Sequence, residues 1–438
     1  MSRPMKESGI EWIGDIPAEW EVRKAKTVFF ERRERLRYDD VQLTASQKYG
    51  MIPQNLFIEL ENQKPVLVDK NYDNFKHVEA GDFVISLRSF QGGLEYSTYC
   101  GAVSPAYTVI GANEEFVNKH YFKWLFKNDA YIKAIAVTSD SLRDGKSLKW
   151  SNFILVDVPL PPLPQQAKIA AYLDKQVATI DAIIADTKES IQALKDYKQA
   201  IITETVTKGL DPQAPMKDSG IEWIGQVPEG WEVRKNKYIY DFSKGLSITK
   251  ADLTETGIPV INYGQIHSKY PVFFTPGRDD LPFVPSTFSS DTKSKLNFGD
   301  FVFADTSEDY LGSGNFSMHN SEIEAMAGYH TIVLKVNKLV EYFEPKYLAY
   351  YFAGDVHRNQ IRRKISGVKV FTISQTILKN TYCLIPPLDT QTQIVAYLDQ
   401  KIGQIDQLVA DKEALIAEYE AYKKSLIYEV VTGKRRVD

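Results

Sequence analysis

The chain has 438 residues, of which 43% are hydrophobic and 12% are aromatic. A chain of this size and composition forms roughly two to four packed domains, which excludes a largely disordered protein. The formal net charge of −4 at pH 7 argues against a free-standing nucleic-acid binder, because such proteins usually carry a surplus of Lys and Arg that displaces counterions from phosphates.

The sequence contains none of the apolar runs that secretion or membrane insertion requires. The N-terminal residues MSRPMKESGIEWIG include no stretch of signal-peptide length, and no segment reaches the roughly 18 apolar residues of a membrane span. The two cysteines, Cys100 and Cys383, have no CxxC neighbour, so they indicate core residues in a reducing compartment. We therefore expect a cytoplasmic protein.

Two segments of the first half return in the second half, which indicates an internal duplication. Residues 5–26 reappear as 216–237 with 16 of 22 residues identical, and residues 161–186 reappear as 386–411. A scaffold that carries two different binding domains explains this pattern. A duplicated enzyme, in contrast, would keep its active-site residues in both copies.

Between the repeated segments the sequence is typical of mixed α/β domains. Short β-rich runs such as DFVISL, AYTVIG and HTIVLKV are separated by Gly, Pro, Asn and Asp turns. One amphipathic helix is predicted near the end of each half, at 119–135 and at 345–365. The centres of the halves, 32–80 and 241–297, show little mutual similarity, so we expect the two globular domains to read different targets.

Both repeated PPL segments begin a long predicted helix, because proline is tolerated in the first turn of a helix but not in its interior. Apolar residues then follow at alternating spacings of four and three for about four heptads, as in a coiled coil. We predict that the helices pair through Leu173, Val177, Ile180, Ile184 and Ile191 in the first and Leu398, Ile402, Ile405, Val409 and Ile416 in the second.

These patterns predict two globular domains of mixed α/β fold and two long helices. The first domain spans residues 1–160 and is followed by a helix over 161–210; the second spans 211–384 and is followed by a helix over 385–438. The relative orientation of the helices stays open, because a whole domain lies between them.

No catalytic motif in the sequence is specific enough to support an enzyme. The Pro-Pro pairs are followed by leucine, whereas an amino-methyltransferase needs an aromatic residue there. A P-loop-like stretch ends at 144–147, but Asp140 stands where its first glycine must be. The six histidines have neither HxxxH nor HExxH spacing. We predict a non-catalytic chain without a cofactor or metal of its own.

Basic residues concentrate in a few places despite the negative net charge. Residues 356–388 contain no Asp or Glu, and the corresponding part of the first half, 119–149, holds seven basic and three acidic residues. Such clusters suit contacts to DNA phosphates, which position a protein without reading sequence. The basic candidates are Arg32, Arg33, Arg35, Lys48, Arg88, Arg143, Lys146, Arg362, Arg363, Lys364 and Lys369.

Base recognition requires polar side chains on exposed loops that can enter a groove of DNA. Four loops meet this description, at 47–54, 88–93, 262–265 and 305–315. For each loop the alternative is an ordinary turn, and for each basic cluster it is a solvent-exposed helix face. The candidates from the loops are Gln54, Gln91, Asn262, Tyr263, Gln265 and Ser307.

The order of these segments resembles the specificity subunit of type I restriction–modification systems. The resemblance covers essentially the whole chain and rests on the two GIEWIG segments and the two PPL…YLD helix starts. The repeated Gly-Asp-Phe-Val and residues 104–107 (SPAY) add weaker support. The polar loops before the helices, 141–148 and 366–372, differ from the sequence that is commonest in the family.

The resemblance implies two target-recognition domains related by a pseudo-two-fold, with the two long helices pairing antiparallel as a spacer between them. Each domain would read one half of a bipartite, asymmetric site in double-stranded DNA. Two methyltransferase subunits and two restriction–translocase subunits would bind the chain, and S-adenosylmethionine, ATP and Mg²⁺ would belong to those partners. The partners would also help to enclose the DNA, which agrees with the near-neutral charge.

Two other classes of function stay open. A coiled-coil scaffold without DNA binding would need no basic clusters at equivalent places in both halves, and a salt titration of duplex binding distinguishes it from a DNA reader. A single-chain nuclease or methyltransferase is distinguished by assaying the chain alone with each cofactor.

Overall fold

The chain divides into two compact units in the computed structural model. The first unit comprises residues 1–188 and 413–438, and the second comprises 189–412. Both unit boundaries fall within the long helices, so the predicted domain limits at 160, 210 and 384 stay predictions. The structure describes residues 3–63, 72–86, 92–138, 148–337, 343–365, 367 and 369–437.

The first half of the chain alternates short strands with short helices before one long helix. Its strands are β1 (Met5–Glu7), β2 (Asp15–Pro17), β3 (Glu21–Lys24), β4 (Phe29–Arg32), β5 (Leu43–Ser46), β6 (Gly50–Pro53), β7 (Lys76–Val78), β8 (Phe83–Ile85), β9 (Glu95–Tyr96), β10 (Gly101–Val103), β11 (Thr108–Ala112) and β12 (Asp157–Leu160). Its helices are α1 (Gln54–Glu61), α2 (Lys119–Leu125), α3 (Asp129–Val137), α4 (Trp150–Phe153) and α5 (Leu163–Lys208).

The second half repeats this sequence of elements with additional strands. Its strands are β13 (Met216–Asp218), β14 (Gln226–Pro228), β15 (Glu232–Lys235), β16 (Tyr240–Lys244), β17 (Ile258–Ile261), β18 (Val272–Phe274), β19 (Phe283–Val284), β20 (Lys295–Leu296), β21 (Phe301–Ala304), β22 (Thr306–Ser307), β23 (Phe316–His319), β24 (Ala325–Ala327), β25 (Thr331–Val336), β26 (Phe371–Thr372) and β27 (Tyr382–Ile385). Its helices are α6 (Tyr263–Ser268), α7 (Pro345–Ala353), α8 (Asp355–Arg362), α9 (Gln375–Lys379) and α10 (Leu388–Val431).

The same sheet order occurs in both units. In the first, β4, β11, β8 and β9 form an antiparallel sheet in that order. In the second, the equivalent strands β16, β25, β21 and β23 follow the same order, and β18 adds a parallel edge strand. The units differ at their centres. The first has the β5–β6 hairpin, whereas the second has another sheet in the order β19, β17, β24 and β20.

Aromatic side chains join each sheet to its helices. Phe29 of β4 lies 4.9 Å from Phe122 of α2, and Phe83 of β8 lies 4.9 Å from Phe126, measured between ring centroids. In the second unit Phe352 of α7 lies 5.0 Å from Phe301 of β21. Edge-on contacts of this kind stabilise beyond the apolar area that they bury, so each unit has its own core.

The amphipathic segments near the end of each half are two helices each, not one as the apolar spacing predicts. The side chain of Asn128 accepts hydrogen bonds from the N–H groups of Ala130 (2.9 Å) and Tyr131 (3.4 Å), and so begins α3. In the second half Gly354, with ψ of 146°, separates α7 from α8. The apolar spacing continues across both breaks, which is why it predicts single helices.

The long helices α5 and α10 run antiparallel in each unit. In the first, the start of α5 shares a core with the end of α10, and Asp181 Oδ1 lies 2.7 Å from Lys423 Nζ. In the second, the end of α5 shares a core with the start of α10, and Lys198 Nζ lies 2.7 Å from Asp406 Oδ1. The repeat aligns Asp181 with Asp406 and Lys198 with Lys423, so both units contain the same ion pair.

The predicted pairing residues lie along these contacts. Val409 and Ile416 are partly buried and pack on the core of the second and first unit, respectively. The exposed ion pairs contribute less than about 1 kcal/mol each, so apolar burial holds the helices together and the ion pairs select the register. The remaining predicted residues are all buried: Leu173, Val177, Ile180, Ile184, Ile191, Leu398, Ile402 and Ile405.

The repeated Gly-Asp-Phe-Val motif places a buried aspartate in each unit, but only one of them has an ion-pair partner among the residues that the structure describes. Asp82 accepts from Arg32 Nε at 2.6 Å. At the position of Arg32, the second half has Ser243, and Asp300 accepts a hydrogen bond from the N–H of Asn297 at 2.8 Å. Burial raises the pKa of Asp300 from 3.8 to about 6.

We expect Asp300→Asn to stabilise the second unit at pH 7. A folded-state pKa above the unfolded one means that protonated Asp300 favours folding below about pH 4, and that this contribution is lost as the pH rises through about 6. The shift corresponds to about 3 kcal/mol at neutral pH. Urea unfolding between pH 5 and 8 should show that increase in Asp300→Asn and a flatter pH dependence.

The matched control is Asp82→Asn, which leaves Arg32 without its buried carboxylate and should destabilise the first unit. A loss of stability in Asp300→Asn at pH 7 would contradict the assignment of a costly buried charge.

Candidate nucleic-acid interface

One surface of the second unit is formed by a loop, residues 305–315, and a neighbouring segment, residues 369–373. β22 in the loop pairs antiparallel with β26 in the segment, and Ile373 N–H donates to the Asp305 carbonyl at 2.7 Å. The rings of Tyr310 and Phe371 lie 5.7 Å apart. The loop and the segment therefore form a single surface, which carries the exposed side chains of Tyr310 and Leu311.

Two arginines of α8 hold this loop from one side. Arg358 Nη1 donates to Asn315 Oδ1 at 2.8 Å, and Arg362 Nη2 donates to the Leu311 carbonyl at 2.5 Å. Burial lowers the pKa of the Arg358 guanidinium to about 10, and the charge of Arg362 acts in the same direction. Positive charge is thus concentrated directly behind the loop.

His267 of α6 holds the loop from the other side. Its Nε2 lies 2.8 Å from the Thr306 carbonyl, which can only accept, so Nε2 carries the proton. Its Nδ1 therefore accepts from Asn315 Nδ2 at 3.0 Å. Hydrogen bonds thus run from α6 through His267 and Asn315 to Arg358 on α8, and fix the base of the loop.

An aromatic cluster lies beside His267 at the start of α6. The ring of Tyr263 is 5.8 Å from that of Tyr329 and 5.4 Å from that of His330. His330 has a positive φ of 56°, and non-glycine residues in that conformation are uncommon and concentrate at functional sites. The His330 side chain is also exposed, with Nδ1 3.3 Å from Asp305.

Three residues predicted to contact bases in the second half have hydrogen-bond partners within the protein. Asn262 is 1% exposed and its Oδ1 accepts from Tyr329 N–H at 3.1 Å. Gln265 Oε1 accepts from the backbone N–H of Asn262 at 3.0 Å. Ser307 is 3% exposed and its hydroxyl closes a turn by donating to the Asp309 carbonyl at 2.7 Å. We leave these three out of the proposed contact set.

The other basic candidates of the second half lie at the surface near α8. Arg363 is exposed, with its guanidinium 5.8 Å from the centre of the Trp223 ring. Lys364 is exposed and donates to the Asn380 carbonyl at 3.2 Å. Lys369 is exposed and has no hydrogen-bond or ion-pair partner within the described part of the chain. With Arg362 they form a basic surface that is available to phosphates.

The basic cluster predicted from ERRERLR is a network of internal ion pairs. Arg32 is bonded to the buried Asp82 and to Glu34, at 2.6 and 2.8 Å. Arg33 is exposed but lies 2.8 Å from Glu31. Arg35 is exposed and unpaired among the residues that the structure describes. The structure thus leaves Arg35 free for a phosphate, whereas the partly buried Arg32 is paired with carboxylates of the protein.

The loop predicted at 47–54 corresponds in position to the start of α6. Gln54 begins α1 directly after β6, and Tyr263 begins α6 one residue after β17. Lys48 lies 3.0 Å from Glu61 Oε1 and 4.6 Å from the centre of the Tyr49 ring. The remaining first-half candidates, Arg88, Gln91, Arg143 and Lys146, lie outside the described residues.

Sequence reasoning selected Arg362 and the loop 305–315, but not the other side chains that hold this loop. Arg358 lies in the segment without Asp or Glu, which is a signal that could have identified it. His267, Asn315 and His330 carry no such signal, because their partners come from separate elements of the fold.

The described residues contain neither a membrane-spanning helix nor a metal site. No helix there is long and apolar enough to cross a membrane. No group of His, Cys, Asp or Glu side chains in the same residues has the arrangement of a metal site.

Comparison with known proteins connects this architecture to one family. The model of the type I restriction modification DNA specificity domain matches residues 17–193 and 228–417. The MjaVIII specificity subunit of Methanocaldococcus jannaschii is 23% identical over 283 residues, which are 64% of this chain and 63% of that relative. The EcoKI specificity subunit of Escherichia coli K12 is 22% identical over 350 residues, covering 77% of this chain and 68% of the relative.

A solved structure shares the fold. It comes from work on complex assembly and conformational transition of the type I R-M system, and it aligns with a TM-score of 0.70 at 16% identity over 96% of this chain and 99% of that one. The family model matches both halves of the duplication and well over half of the residues. The chain therefore belongs to the type I restriction modification DNA specificity family.

Proposed function

We propose that the chain is the DNA-reading subunit of a type I restriction–modification complex and recognises a bipartite, asymmetric site in double-stranded DNA. The observation that carries this proposal is the duplication. Each unit has the same sheet order and the same helix pair, while the elements at the two centres differ. Two domains that share a scaffold but differ in their central elements are what recognition of two different half-sites requires.

In the second unit the proposed contacts divide into two kinds. Arg362, Arg363, Lys364 and Lys369 contact phosphates, which positions the domain. The aromatic cluster beside loop 305–315, with Tyr263 and His330, faces the bases. In the first unit we propose DNA contacts by four residues that the structure describes, Arg33, Arg35, Lys48 and Gln54. Four further contacts are proposed from the sequence alone: Arg88, Gln91, Arg143 and Lys146.

The chain is proposed to work with partners that supply the chemistry. Two methyltransferase subunits would bring S-adenosylmethionine, and two restriction–translocase subunits would use ATP and Mg²⁺, all in the cytoplasm. Two copies of one partner need two equivalent docking surfaces. Tyr197 and Tyr422 are equivalent in the repeat and are 57% and 46% exposed on the long helices, which suits this requirement.

The test is to replace Arg362, Arg363 and Lys364 with alanine and measure duplex binding by the complex with the methyltransferase subunit across a range of salt. Removing about three phosphate contacts should weaken binding and flatten the slope of log K against log salt by about 2 to 3. Methylation mapping should return the unchanged target, because phosphate contacts carry no sequence information.

The control replaces Lys168, Lys175 and Lys188 with alanine. These substitutions remove the same charge from the exposed face of α5 in the first unit. A changed target with unchanged affinity would mean that the three α8 residues read bases. If the unmodified complex bound no duplex at any salt, the chain would be a coiled-coil scaffold.

A further inference from the structure

Two positive charges lie next to each other on α8, and the one carboxylate whose charge acts on Arg358, that of Asp355, forms no ion pair with it in the described part of the chain. Arg358 and Arg362 are four residues apart and so lie on one face of the helix. Neither forms an ion pair with an acidic side chain in the described residues; both are held only by neutral oxygens of loop 305–315, the Asn315 amide and the Leu311 carbonyl. The loop's own Asp309 instead accepts the N–H of Gly312 at 2.5 Å.

Each of the two guanidinium groups also has an unsatisfied hydrogen-bond donor. The Nε atoms of Arg358 and Arg362 are buried and have no acceptor among the residues that the structure describes. A buried donor of a charged group without a partner costs about 1–3 kcal/mol or more. This arrangement is therefore unfavourable in the free chain, and an anion that reached both groups would relieve it.

The first unit does not contain this pair. The repeat aligns Asp129 with Asp355, and it places Ile132 at the position of Arg358 and Ala136 at that of Arg362. The equivalent helix α3 thus folds with apolar residues at both positions. Packing of this helix on its sheet does not require arginine at these positions. The two arginines therefore have a role that is specific to the second unit.

We propose that Arg358 and Arg362 together bind one phosphate of the DNA backbone, which replaces the neutral oxygens of loop 305–315. A guanidinium group presents a rigid fork of donors that matches phosphate oxygens. Hydrogen bonds to a charged acceptor are about twice as strong as those to neutral oxygens, so the exchange is favourable. This inference rests on the proposed function, because it takes the phosphate from bound duplex.

When a phosphate replaces the loop oxygens, the conformation of loop 305–315 changes with DNA binding. Loop 305–315 carries Tyr310, Leu311 and the aromatic contact to Phe371, and Asn315 joins it to His267. When the phosphate takes the arginines, the loop is released from α8 but stays tied to α6. The reading surface of the second unit is then adjusted only after the backbone has been engaged.

The test uses the full chain in complex with the methyltransferase subunit and the double variant Arg358→Ile, Arg362→Ala, which copies the residues of the first half. We expect roughly tenfold weaker duplex binding or more, a salt slope lower by about 1, an unchanged methylated sequence and an unfolding temperature equal to or above that of the original complex. An unchanged slope together with a lower unfolding temperature would show that the arginines only hold the loop, and would overturn the proposal.

A second variant keeps both arginines. Asn315→Asp gives Arg358 a charged partner inside the chain, so it should weaken duplex binding, while it also removes the N–H that Asn315 donates to His267 Nδ1. Binding equal to the original would overturn the proposal. Inorganic phosphate serves as the probe for the source of the anion. Thermal protection by millimolar phosphate that disappears in the double variant, with equal duplex slopes in both, would mean a free-phosphate site and overturn the DNA assignment.

The proposed function can fail separately. If the original complex binds no duplex at any salt, both proposals fall. If it binds duplex and the double variant binds with the same affinity and slope, only the arginine–phosphate site falls.

Discussion

A fragment of residues 1–215 should pair with a second copy of itself and direct methylation to an inverted repeat of the first half-site. The fragment contains one globular domain and the whole of α5. In the full chain, the seam of α5 is covered by α10, and without α10 it would be exposed to water. Pairing with a second copy buries that seam again.

The ion pairs show that α5 is complementary to itself in the antiparallel orientation. Asp181 pairs with Lys423 in the full chain, and the residue equivalent to Lys423 is Lys198. In the dimer of fragments, Asp181 of each copy should therefore pair with Lys198 of the other copy, which gives two equivalent ion pairs. The register, and hence the spacing between the two half-sites, should be the one that the full chain has.

The second copy can also replace the α10 residues that the core of the first unit loses in the fragment. It normally contains Leu426, Ile427 and Val431 from the end of α10. The repeat aligns these with Ile201, Ile202 and Val206 of α5, which are themselves buried in the second unit. Val430 of the same core aligns with Thr205, which has a similar volume, so we expect the dimer to be stable.

The weakest match lies where the helix ends. Gly433 has a φ of +73°, and a Cβ there would come within 2.4 Å of Pro17 Cδ. The aligned residue is Lys208, but the next residue is Gly209, which also has a positive φ of 78°. Gly209 must take the place of Gly433 in the dimer.

The measurement is to express residues 1–215 with the methyltransferase subunit, determine the mass of the particle and map the methylated sites. A double charge reversal, Asp181→Lys with Lys198→Asp, should restore the dimer that either single change weakens. A stable monomer, or modification confined to the original asymmetric site, would contradict the prediction.

Exchanging residues 241–297 for those of another reader should change one half-site and leave the other intact. The exchanged region supplies β17, α6, β18, β19 and β20, all within the second unit. Specific and non-specific DNA sites commonly differ about 10³- to 10⁷-fold in affinity. The switch at the second half-site should therefore be nearly complete in methylation maps, while the first half-site stays as it was.

The structure indicates that a longer exchange should work better. His267 in the exchanged region is bonded to Thr306 and Asn315 outside it. An exchange of 241–373 transfers both sides of this contact, and it should give higher modification activity than 241–297 with the same new half-site. Altered recognition at both half-sites in either exchange would refute independent readers.

The frame of the molecule was predictable because it is encoded locally. The heptad spacing of α5 and α10 and the repeated segments can be read without knowledge of any long-range contact. The interface depends on partners that are distant in sequence. Arg32 is predicted as a DNA contact, but Asp82, fifty residues later, binds it. Asn262 lies in a polar stretch, yet the backbone of Tyr329 buries its side chain.

The two units also differ in when their residues become available during protein synthesis. The second unit is continuous in sequence and has all its residues once the ribosome has reached residue 412. The first unit also needs residues 413–438: Val431 accepts from Tyr121 Oη and Lys434 donates to the Ile13 carbonyl, both at 2.8 Å. The half that is translated first is therefore completed last, and termination of translation between residues 412 and 431 should damage the first unit and not the second.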